Sequence, residues 1–147
     1  MNSPTRWGFS IFCEDIRDEI GGTSSWMGVL KGSLDVIGDF PIMIAKLSVI
    51  IKYYESPGAH NDDLDFRIYG TDDAVIARVK IENNFREGFS KLETEFSGEG
   101  QLISLEIPFE FSPMNFPKPG TLKVRMFDGA QELKLGSLVV RSSPTPA

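Results

Sequence analysis

The sequence predicts an all-β protein, an antiparallel β-sandwich of about eight strands. Three observations carry that expectation. Apolar and polar residues alternate with a period of two in one run after another. The runs are short and bounded by Gly, Pro, Asn and Asp. Clear helical periodicity is confined to one segment. The 14 Gly and 9 Pro point the same way, to many turns and few long helices.

Taken in order, WGFSIFC reads as a strand burying Trp7, Phe9, Ile11 and Cys13. EDIRDEIGG and the apolar SSWMGVLKG follow, so residues 11–30 read as a first hairpin. Gly21-Gly22 forms its turn, Ile16 and Ile20 anchor it inward, and Asp15 and Arg17 organise its backbone. KLSVIIKYY places Leu47, Val49, Ile51 and Tyr53 on one face. LDFRIYG alternates Leu64, Phe66 and Ile68 with Asp65, Arg67 and Tyr69, and VIARVKI sets Val75, Ala77, Val79 and Ile81 against Arg78 and Lys80. ISLEIPFEF and TLKVRMF repeat the pattern with Ile103 to Phe111 and with Leu122, Val124 and Met126. QELKLGSLVVR changes phase at Gly136, as a β-bulge does. Turn chemistry separates the runs at Ser56-Pro57-Gly58, Gly70-Thr71-Asp72-Asp73 and Asp128-Gly129-Ala130. In NNFREGFSKLETEF, Phe85, Phe89, Leu92 and Phe96 fall at helical spacing, yet Leu92-Thr94-Phe96 alternates. A short helix and a strand with a loop both fit. Residues 1–141 are expected to form one domain and 142–147 a flexible tail.

At 147 residues the chain is the size of one domain, long enough to bury about 68–70% of its unfolded surface around a single core. The net charge of −6, without a Lys/Arg cluster, argues against nucleic acid and anionic membranes as partners. Cys13 is the only cysteine, which excludes an intrachain disulfide and a multi-cysteine metal site. The opening MNSPTRWGFSIF lacks the features of a secretory signal, and no apolar run reaches the roughly 18 residues of a membrane helix. A cytoplasmic location is the expectation.

The stretch IFCEDIRDEIGG…SWMGVL, followed by FPIMIAKLSVII, resembles a family of small uncharacterised bacterial and phage proteins. That family's pattern is an apolar strand, Cys-Asp/Glu-Asp-Ile-Arg, a Gly-rich turn and a strand ending in Gly-Val. FPKPGTLKVRMFDGAQELKLGSLVV resembles the closing hairpin of immunoglobulin-like sandwiches, although the paired cysteines of antibody domains are missing. The second resemblance implies an immunoglobulin-like fold. Neither implies an activity.

Candidate chemistry is sparse. Glu14, Asp15, Arg17, Asp18 and Glu19 could form a cation or acid–base site, but the spacing does not suit a Ca²⁺ loop and the arginine opposes one. A structural hairpin is the stronger reading. Asp62, Asp63, Asp65, Asp72 and Asp73, near His60, could bind a cation if their two turns met at one end of the sandwich, as in C2-like modules. Asp also suits solvated turns for its own backbone hydrogen bonds. The single histidine, with no Gly-x-Ser-x-Gly, P-loop, dinucleotide fingerprint or His-x-x-x-His, predicts no enzyme and no cofactor. The excess of loop-borne apolar residues is more informative. Trp26, Met27, Phe40, Met43, Met114 and Phe116 either close the ends of the sandwich or form a partner surface. The expected function is protein–protein interaction or self-assembly, as a homo-oligomer or with another protein, in a bacterial or phage structural or accessory role. The alternative is a small-ligand or cation-binding module built on the acidic loops.

Overall fold

A computed structural model describes residues 6–56, 63–82 and 103–143. They form β1 (Arg6–Asp18), β2 (Ser24–Val29), β3 (Ser33–Ile37), β4 (Ile42–Ile44), β5 (Leu47–Glu55), β6 (Leu64–Tyr69), β7 (Val75–Ile81), β8 (Ile103–Phe111), β9 (Met114–Phe116), β10 (Gly120–Asp128) and β11 (Gln131–Ser143). There is no helix among the described residues. One antiparallel sheet has the order β2-β1-β5-β8 and a second the order β3-β11-β10-β6-β7, while β4 and β9 form a two-stranded ribbon. Within the second sheet only β3 and β11 run parallel.

The all-β sandwich expected from the alternating runs is the fold. The chain leaves β5 for β6 and β7 in the other sheet, returns at β8 to pair with β5, and then adds β10 and β11 beside β6. The set β1-β5-β8 opposite β11-β10-β6-β7 follows the strand order of immunoglobulin-like sandwiches. The strands beyond the expected eight are β3, β4 and β9, with 5, 3 and 3 residues, too short to show a period of their own.

Alternation decides the core. Leu47, Val49, Ile51 and Tyr53 of β5 meet Leu64, Phe66 and Ile68 of β6 and Leu122, Val124 and Met126 of β10. The rings of Tyr53 and Phe66 pack edge to face at 5.5 Å, a favoured aromatic geometry. The bulge expected in the last strand lies opposite Val124 and Arg125. It lets Leu135 and Leu138, three residues apart, both face inward.

β1 has the opposite phase from the one its apolar residues suggest. Phe12 joins the core, while Trp7 and Phe9 lie exposed on the outer face. The reason is the close approach of β11. A Cβ on Gly8 would sit 2.6 Å from the Lys52 carbonyl oxygen and 2.8 Å from Leu135 Cδ2, and Gly136 lies against Ser10. Only small residues fit the inner face there, so the large aromatics turn outward. Val75, expected inside, is also exposed.

Beyond Cys13, the β1–β2 hairpin leans over the outer face of the first sheet. Ile16, Ser24 and Trp26 of the hairpin enclose a cavity of about 250 Å³ with Ile50, Glu106 and Pro108 of that face. Cys13, Ser48 and Ile50 are buried outside the main core, and Ile50 lies in the wall of this cavity. Ser142 and Ser143, in the stretch expected to be tail, pair with Val36 and Ile37, and the Ser142 hydroxyl donates to the Gly38 carbonyl at 3.0 Å; residues 144–147 lie outside the described residues. His60, Asp62 and the segment with the open helix or strand reading lie outside the described residues.

Candidate interaction surfaces

The residues expected to meet a partner divide into two groups. Met114 and Phe116 are corrected to the core, where both are buried. The pairing of β9 with β4 sets Ile42 opposite Phe116 and Ile44 opposite Met114, and Met114, Phe116 and Ile44 pack in the core. The intervening pair, Met43 and Asn115, faces out. Met43 is 65% exposed and Met27 is also exposed, while Phe40 is half-buried against the core. Trp26 is half-buried, its Nε1 donating to the Ser24 hydroxyl at 3.1 Å and its ring lying 5.9 Å from Lys52 Nζ.

Around Met43 the structure builds a groove of about 540 Å³, lined by Leu30, Leu34, Ile37, Ile42, Met43 and Ile44, among others. Ile37 is 64% exposed. β3 forms one wall, and among the described residues its edge away from β11 pairs with no strand. A second apolar surface lies at the start of β1, where Trp7 stacks on Tyr54 at 4.3 Å and lies 6.2 Å from Phe9. Trp7 and Phe9 were not among the expected surface residues. The small residues Gly8 and Ser10 between them were the available signal.

The opening cluster is a hairpin, as expected, but its contacts differ. Asp15 pairs with Lys46 at 2.5 Å, and Lys46 also reaches Glu110 at 3.4 Å. The hydrogen bond from Lys46 holds the Asp15 carboxyl below its ordinary range. Arg17 is exposed and makes no ion pair among the described residues, though its charge adds to Lys46 in favouring the ionised Asp15 carboxyl. Ile16 is half-buried, but Ile20 stands fully exposed at the tip instead of anchoring it. Burial pushes the Cys13 thiol above its ordinary pKa, helped by the charges of Asp15, Glu110 and Glu14, against a hydrogen bond to the Asp15 carbonyl at 3.5 Å.

The two acidic turns do not adjoin. Asp63 and Asp65 stand at the start of β6, and Asp72 and Asp73 follow its end, so roughly 20 Å of strand separates them. Each also has its own task. Asp65, 7% exposed, accepts from Arg67 (2.7 Å) and Arg78 (2.8 Å). Burial alone would raise its pKa, but the two arginines outweigh that and hold the carboxyl below its usual range. Asp63 lies 3.9 Å from Lys80. The Asp72 carboxylate accepts from the Ala74 N–H at 3.2 Å, and Asp73 pairs with Lys123 at 3.1 Å. No group of three or more His, Cys, Asp or Glu converges on one point among the described residues.

The outer face of the second sheet carries an arrangement that no local stretch of sequence displays. Strand register sets Arg78 opposite Arg67, Arg67 opposite Arg125, and Arg125 opposite Lys134. Four cations thus form a row across β7, β6, β10 and β11. Asp65 bridges the first two with its single negative charge, and Arg67 also lies 4.5 Å over the Phe127 ring. Glu132 meets Arg125 at 3.3 Å, and Lys134 has no ion pair among the described residues.

No protein-family model matches the chain, and no characterised protein aligns with it significantly. Among the described residues no helix is long and apolar enough to cross a membrane.

Proposed function

We propose that this chain is a non-catalytic β-sandwich module that binds another protein or copies of itself, in a bacterial or phage structural or accessory role. The observation that carries the reading is the groove beside β3, where Ile37 and Met43 stay largely exposed next to a strand edge that pairs with no strand among the described residues. Exposed apolar side chains beside a free edge suit the addition of an extended segment. Backbone hydrogen bonds supply affinity and alternate side chains enter the groove. The buried free thiol of Cys13 suits a reducing cytoplasmic setting.

The test is light scattering on the purified chain over a concentration series, alone and with Met43→Asp. Concentration-dependent growth in mass that Met43→Asp suppresses, with thermal melting unchanged, supports the groove as a contact. If the chain assembles equally well with Met43→Asp, the groove is not the surface used.

A further inference from the structure

We infer that one contact between copies of this chain seats the β1–β2 hairpin tip of one molecule on the cation row of the next. This rests on the self-assembly form of the proposed function and names the partner: a second copy, bound head to tail.

The row itself is the first observation. Like charges directly opposite one another across a sheet are destabilising. Here four stand in sequence, and among the described residues no acid pairs with Lys134. Beside the row, a shallow cleft of about 390 Å³ is lined by Tyr69, Asp73, Lys123, Arg125, Glu132 and Lys134. In a chain of net charge −6, this face offers a local anion site.

The second observation is the hairpin tip. Asp18 and Glu19 are exposed and make no ion pair among the described residues, and Ile20 beside them is fully exposed. The tip is also preformed. The Glu19 N–H donates to the Thr23 carbonyl at 2.8 Å, and Gly21 and Gly22 adopt φ values of 97° and 83°. A rigid tip loses little conformational freedom on docking. An exposed apolar side chain flanked by two carboxylates complements a cleft that has Tyr69 in its wall and unspent positive charge at Lys134.

Geometry excludes closure within one molecule, because the tip belongs to the sheet opposite the one bearing the row. The two surfaces differ, so the contact is heterologous and repeats from copy to copy, giving a ring or an open chain.

Charge exchange tests it. Sedimentation velocity compares the wild type with Glu19→Lys, Lys134→Glu, the double variant, and an equimolar mixture of the two single variants. Thermal melting confirms that each is folded. Each single variant places like charges at the contact and should weaken association about tenfold or more. The double variant and the mixture both restore opposite charges and should recover it. In about 1 M NaCl, where the screening length is about 3 Å, the wild type should also associate less. Wild-type assembly that neither reversal alters overturns this contact and leaves the assembly reading standing. A wild type that stays monomeric at every concentration overturns the assembly reading and this contact with it.

Discussion

Truncating Phe116 to alanine separates a core role from a surface role at β9. Phe116 is 0% exposed and packs in the main cluster, although its local sequence, FSPMNFPKPG, looks like a connecting loop. Removing a fully buried phenylalanine side chain costs about 3–5 kcal/mol, combining lost transfer energy with an unfilled cavity. With an unfolding entropy of about 2.1 cal/mol/K per residue, 147 residues give about 0.3 kcal/mol for each degree near Tm. A loss of about 4 kcal/mol therefore lowers Tm by roughly 13 °C. Met43→Ala in the adjoining strand is the control. Its side chain is largely in solvent, so the change should stay within about 0.5 kcal/mol, or roughly 2 °C. Differential scanning calorimetry on the two variants provides the comparison. Equal shifts, or a fall below about 4 °C for Phe116→Ala, would refute the burial of β9 in the core.

The Asp65 clamp predicts a specific acid response. Its folded pKa lies below an unfolded value of about 3.9, so its contribution is complete above about pH 4 and fades as pH falls through the lower folded value. Wild type should therefore lose more Tm than Asp65→Asn between about pH 5 and pH 2, and parallel curves would remove the clamp from the stability account. Cys13 should resist an aromatic disulfide reagent at neutral pH and react only as the protein unfolds, since burial keeps its thiol protonated and covered. Rapid labelling of the native protein would show that the hairpin does not cover it. Arg17→Ala should leave Tm within about 2 °C, because the side chain is exposed and makes no ion pair among the described residues, and a larger drop would support its organising role in the hairpin.

The strands that were plain in the sequence are those with one wet face. In β6, β8 and β10 the inward residues are mostly apolar and the outward ones mostly polar, with Pro108, Phe127 and Asp128 as exceptions, so alternation gives both strand and facing. β1 was recognisable as a strand but not in its orientation. Its large residues cover the outside, while Gly8 and Ser10 admit β11 at close range, a constraint set by a strand more than 100 residues away. Met114 and Phe116 did show a two-residue spacing, but with three residues and flanking prolines the signal merged with the loop. Of the candidate surface, Met43 was readable as an apolar residue without local cover. The groove around it was not, because its walls come from three separate segments. The cation row was hidden for a similar reason. Arg67, Arg78, Arg125 and Lys134 sit at unremarkable outward positions, and only the register of three strand pairs aligns them.

The parallel pairing of β3 with β11 has a consequence for the order of events in biosynthesis. Among the described residues Ser33 to Ile37 pair with Val139 to Ser143 alone, and β11 also fills the place between β3 and β10. While the ribosome is still extending the chain through β10, the second sheet has a vacant lane, and an early segment has nothing to zip against. Such far-separated pairings are slow to form and leave apolar edges open in the meantime. The second sheet is thus completed only once β11 is in place, and a chain cut short before residue 131 would leave β3 and the flank of β10 without the strand that joins them.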